Sequence, residues 1–149
     1  MCRGEYHVTH KFKGSCTCGE VSFSLSLSQS LDAYSPRACD CDFCAAREIV
    51  YLSDPKGALE LHSKLPLKTL VQGSEQAQFL LCASCNSVVA VVHSFQSGLK
   101  GAVNASLIKN GKQLQEVEIV SPKLLSPTEK IERWNRVWLQ VIVNDQKII

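Results

Sequence analysis

Seven of the chain's eight cysteines fall into three short clusters, and any fold the chain adopts has to account for them. Cys16 and Cys18 sit in "GSCTCGEV", Cys39, Cys41 and Cys44 in "ACDCDFCAAR", and Cys82 and Cys85 in "CASCNS". Thiolates at C-x-C spacing on an extended strand share a face, because side chains alternate. C-x-x-C wraps a tight turn and also converges two sulfurs, the usual half of a zinc ribbon or knuckle. Cys16, Cys18, Cys82 and Cys85 therefore predict a closed four-thiolate tetrahedron. A site of that kind is structural and staples the two ends of a β core. The run Cys39-Asp-Cys41-Asp-Phe-Cys44 combines both spacings in one loop. Three sulfurs there can reach one ion and leave a fourth position open, the arrangement that zinc catalysis uses. Thiolate-rich tetrahedra favour Zn²⁺, with iron–sulfur ligation the minor alternative, so the expectation is two zinc ions per chain. Two other readings of the triad stay open. One is a second closed site completed by Cys2 or by one of His7, His10, His62 and His93; the other is a metal-free redox cluster.

Reducing compartments keep thiols free. The start, "MCRGEYHVTH", has no apolar run of signal-peptide type, and no stretch approaches the ~18 apolar residues of a membrane span. The expectation is a cytoplasmic protein with no membrane partner. The even cysteine count permits one alternative, a secreted disulfide scaffold. A net charge of +2 and a pI near 8.1 are too mild for a nucleic-acid or anionic-membrane partner. With 149 residues, 45% hydrophobic and 20% charged, the chain reads as one domain, 1–149, with a real core.

Val21–Ser28, "VSFSLSLS", alternates strictly, with Val21, Phe23, Leu25 and Leu27 on one face and serines on the other. That pattern predicts an antiparallel strand with one wet face. Further strands are predicted at Val8–Phe12, Ile49–Leu52, Leu67–Gln72, Gln78–Leu81, Ser87–Phe95, Leu114–Ile119 and Leu139–Val143, separated by turn-forming clusters such as Asp54–Gly57 and Asn110–Gly111. One helix is signalled by a capping box, with Ser126 as N-cap, Pro127 in the first turn and Glu129 three residues on. Ile131, Trp134 and Trp138 then form an apolar stripe that reads as packing. The fold class is mainly β, with a helix toward the C-terminus. Asn104, in Asn-Ala-Ser, matches a glycosylation acceptor that an intracellular chain would never present.

These motifs resemble the GFA family, which includes the glutathione-dependent formaldehyde-activating enzyme and centromere protein V. "GSCTCGEVSFSL" is similar to its G-x-C-x-C-G-x-V opening, "CDCDFCAAR" to its C-x-C-x-x-C-R segment, and "FLLCASCNSVV" to its F-x-x-x-C-G-S tail. The likeness spans about Lys13 to Val143. It implies a β-tent fold of short antiparallel sheets stapled by zinc. It assigns a structural zinc to Cys16, Cys18, Cys82 and Cys85 and a catalytic zinc to Cys39, Cys41 and Cys44. The implied activity is that of a carbon–sulfur lyase condensing formaldehyde with glutathione. The chain departs from the family at "CDFCAAREIVYL", where a basic pair is reduced to Arg47, and at Asn86, where the family has glycine.

Arg47 is the candidate contact for a substrate carboxylate. Asp40 and Asp42 read as solvated charges near a turn, and Phe43 as packing. The partner expected is a small, glutathione-like thiol or its adduct. Two further function classes remain: a non-catalytic zinc-stapled binding module, and a thiol redox or metal sensor.

Overall fold

The computed structural model describes residues 10–39, 49–71, 77–96, 98–109, 113–120 and 126–144. Among the described residues, eleven strands join one mixed sheet. They are β1 (His10–Ser15), β2 (Val21–Leu27), β3 (Arg37–Cys39), β4 (Val50–Leu52), β5 (Ala58–Ser63), β6 (Lys68–Val71), β7 (Gln78–Leu81), β8 (Val88–Phe95), β9 (Gly98–Asn104), β10 (Glu118–Val120) and β11 (Leu139–Asn144). One path through the sheet runs β1-β2-β5-β11-β9-β4-β3-β10. A second path leaves the other edge of β9 through β8, β7 and β6.

Most pairs are antiparallel, as the alternating patterns predict. The expectation of short antiparallel sheets fails at β5–β11 and β3–β10, which are parallel. Parallel neighbours need a long crossover. Here the chain runs through β6 to β9 and helix α1 (Pro127–Val137) before β11 lies down between β5 and β9.

The serine-rich strand behaves as read: Val21, Phe23, Leu25 and Leu27 are buried and the serines between them are not. Their face meets Leu59 and Leu61 of β5, Val89 and Val92 of β8, and Leu139 and Val141 of β11 in the main core. β8 is buried along Val88–Val92 because both its faces are covered. The second face packs Val88 and Val91 with Phe79, Ala102 and Trp138, and α1 closes that layer. The capping box forms as predicted: Ser126 Oγ accepts from the Glu129 N–H, and Glu129 accepts from the Ser126 N–H. Trp138 ends the helix and stacks on Trp134 at 4.7 Å.

Three strands carry weak sequence signals: β3 is short, β5 has only Leu59 and Leu61 as large apolar residues, and β9 holds two glycines. The predicted strand at Leu114–Ile119 is displaced. Gln115 is drawn instead to the Tyr34 and Asp32 carbonyls, and pairing begins at Glu118. The Asn110–Gly111 turn lies outside the described residues. Asn104 is buried; its amide donates to the Val88 carbonyl and accepts from Ser106, so it closes a 3-10 turn.

Asp54 is 5% exposed and knots three turns together. It accepts from the Ser28 hydroxyl at 2.6 Å, the Tyr34 hydroxyl at 2.6 Å, the Ser28 N–H at 3.0 Å and the Lys56 N–H at 2.8 Å. Burial alone would raise its pKa, but the donors, Ser28 foremost, hold it below the ordinary carboxylate value. Asp54→Asn turns an amide toward these donors and is expected to cost about 1–3 kcal/mol in urea unfolding. A carboxyl with a depressed folded pKa stabilises above its unfolded value, near ~3.9, and stops doing so as pH falls through the folded one. The gap between wild type and variant should therefore be flat near neutral pH and close in acid. Tyr34 shifts upward, through burial first and then Asp54, so its share is lost only as pH rises beyond its ordinary value.

Candidate metal centre

Cys16 and Cys18 occupy the turn that joins β1 to β2, and Cys82 and Cys85 the turn that joins β7 to β8. Two hairpin tips far apart in sequence thus meet at one point. The first turn is closed by Cys16 N–H on the Val21 carbonyl at 2.9 Å and Gly19 N–H on the Cys16 carbonyl at 3.1 Å. The second repeats the scheme, with Cys82 N–H on Ser87 and Asn86 N–H on Cys82, both at 3.0 Å. Cys18 therefore lies in a turn, not on the extended strand that C-x-C spacing suggests; the turn converges the sulfurs instead of strand alternation.

Each turn ends in the left-handed region directly after its second cysteine, at Gly19 (φ 83°) and Asn86 (φ 61°). Glycine adopts that conformation freely, and asparagine is among the few other residues that tolerate it. Asn86 thus does the backbone work of a glycine. Its side chain also accepts from Lys68 Nζ at 2.7 Å.

The four sulfurs lie within 4.8 Å of one another. Cys16–Cys18 and Cys18–Cys82 are each 3.6 Å apart. A tetrahedron with Zn–S bonds of 2.3 Å has S···S edges of about 3.8 Å, so the cluster has the size of a four-thiolate metal site. A disulfide would require sulfurs at about 2.05 Å. Backbone N–H groups point at the sulfurs, Val21 at Cys16 and Ser84 at Cys82, both at 3.3 Å. Such donors stabilise thiolate over thiol. The set of residues fits a metal ion, and its purely sulfur donors suit a soft or borderline-soft one.

Electrostatics divides the four unequally. Burial pushes Cys85 up, but the Ser87 hydroxyl at 3.1 Å, the Ser87 and Cys18 N–H groups and the Cys18 thiol bring it down to about 5. For Cys18 the largest influence, the Glu20 N–H, favours the thiolate. Desolvation and the thiols of Cys82, Cys16 and Cys85 outweigh it and push Cys18 up to about 12. Cys82 is raised, mainly by burial. Cys85 thus favours the thiolate, while Cys18 and Cys82 hold their protons more tightly.

Ser87 went unnoticed in the sequence. It holds Cys85 and meets the Thr17 hydroxyl across the two turns at 3.0 Å. The available signal was its place two residues after a C-x-x-C pair. Of the remaining sequence candidates, Cys39 closes β3 through its backbone, while Cys41, Cys44 and Arg47 lie outside the described residues, as do Cys2 and His7. The described histidines stand apart from the cluster: His10 opens β1, His62 contacts Glu60 at 2.8 Å, and His93 packs edge-on to Phe95. No helix among the described residues is long and apolar enough to cross a membrane.

No protein-family model and no curated protein matches the chain. Among solved structures, a Rhodobacter sphaeroides protein determined as a Northeast Structural Genomics target has a similar fold. Its TM-score is 0.56 at 24% identity, over 72% of this chain and 99% of that one. At that identity the likeness speaks for the fold alone.

Proposed function

We propose that the chain is a two-zinc protein of GFA type, with a sealed zinc at Cys16, Cys18, Cys82 and Cys85 and an open one at Cys39, Cys41 and Cys44, acting on a small thiol or thiol adduct such as glutathione with formaldehyde. The observation that carries the reading is the meeting of four sulfurs from two hairpin tips at tetrahedral spacing. Strand β3 supports the second half, because it ends at Cys39 while paired on both sides, with β4 and β10. A zinc ion at the open position would supply a Lewis acid with affinity for sulfur. The chain's own task there is to orient the substrate, with Arg47 taking a carboxylate.

Elemental analysis should give two zinc ions per chain, one released quickly to a chelator and one slowly. Cys41→Ser should remove the fast fraction alone. ¹³C NMR of formaldehyde mixed with glutathione should show faster adduct formation with wild type than with this variant. Two equally inert zinc ions would point to the binding module, and a single zinc with readily oxidised thiols to the sensor; either result sinks the reading of one sealed and one open zinc.

A further inference from the structure

A cleft of about 360 Å³ is lined by none of the four clustered cysteines but in part by Tyr34, Arg37, Tyr51, Ser53, Glu118 and Val137. Strand register assembles it: Arg37 pairs with Tyr51 on one side and with Glu118 on the other, so three adjacent strands present these side chains at one level. Val137 is the last residue of α1. Arg133 lies one turn earlier on the same helix face, and Arg136 is its neighbour. Burial and then the like charges of Arg37 and Arg136 weaken the hold of Arg133 on its proton. Among the described residues no carboxylate forms an ion pair with any of these arginines. Glu118 is the one carboxylate among the lining residues and Arg37 the one guanidinium there, with Arg133 and Arg136 on the adjoining helix end.

Like charges gathered beside a cleft favour an anion from outside. Guanidinium recognises carboxylate and phosphate alike, often through paired N–H donors. The volume falls in the small-molecule range. Tyr34 adds a fixed ring, since its hydroxyl is committed to Asp54. We infer that this cleft binds a small organic anion, a carboxylate or a phosphate ester, with its charged group against Arg37 and Arg133 and its body along Tyr34 and Tyr51. The site needs no metal and stands independently of the thiol reading. Arg37 was legible only in retrospect, as the residue two before Cys39.

The test uses the full-length, metal-loaded chain labelled with ¹⁵N-arginine, titrated separately with inorganic phosphate and with succinate. Saturable shifts of the Arg37 and Arg133 Nε–H signals are expected. Arg37→Gln and Arg133→Gln should each weaken binding about tenfold or more, and Glu118→Gln should tighten it. A response to phosphate alone assigns phosphate esters, to succinate alone carboxylates, and to both an anion site of either kind. No saturable shift at high millimolar concentration of either probe overturns the proposal, as does binding that survives both arginine substitutions. Arg133→Gln, on a half-exposed helix face, keeps the test decisive should the β3 variant fail to fold.

Discussion

Cys82→Ser is expected to abolish metal binding at the tetra-cysteine cluster and to lower the melting temperature more than any other single change in the chain. Cys82 is fully buried between the β7–β8 turn and the main core. Its sulfur touches that of Cys18 and takes the Ser84 N–H. Serine leaves a hard oxygen where the ion needs a soft donor, and it places an unmatched hydroxyl in an apolar site. Structural zinc supplies on the order of 10 kcal/mol to small domains that have little else, and a chain with its own core should lose part of that. Elemental analysis should show one zinc fewer per chain, and calorimetry a melting point no longer responsive to chelator. Wild type treated with strong chelator should melt like the variant. A variant that keeps its full metal content and melting point would remove the cluster from the list of structural staples.

Phe23→Ala carries the second large effect, about 3–5 kcal/mol, which for a chain of this size is a fall of about 10 °C in melting temperature. Phe23 is 2% exposed and its ring edge fills the space above Gly14, two residues before Cys16. A Cβ on Gly14 would overlap that ring and the Leu107 carbonyl. Gly14 thus lets the β1–β2 hairpin close over the phenyl group, and the pair sets the height at which the first cysteine turn leaves the sheet. Gly14→Ala should destabilise by overpacking, about 1–3 kcal/mol. Trimming Phe23 to leucine should recover part of that loss, whereas additive costs in the double variant would show that the two residues do not share the space.

How much of this was legible depended on whether the signal was local. Val21–Leu27 announced itself because one face is buried and the other wet, so period-two alternation survives in the sequence. The helix was legible from its cap, which is a contact between neighbours in the chain. The pairing of Cys16 and Cys18 with Cys82 and Cys85 was legible because metal chemistry restricts which residues can meet. β9 was hidden because Gly101 sits where a Cβ would meet the Val91 carbonyl and the Val92 side chain, and a residue chosen for close approach carries no hydrophobic signal. The parallel pairs were hidden as well, since nothing in Leu139–Asn144 says that β5 is its neighbour. Nor does the Asp54 knot have a local signature: its donors come from Ser28, Tyr34 and Lys56, and only the fold brings the first two near.

The placement of β11 bears on how the chain assembles. Its Leu139 and Val141 lie in the core as the seam between the β1-β2-β5 half and the half that begins at β9. During synthesis this strand emerges after every other described strand, yet it belongs in the middle. The earlier strands must therefore wait with apolar edges open, and the final union joins residues of high contact order. The vulnerable interval for self-association is thus set by the arrival of one late segment.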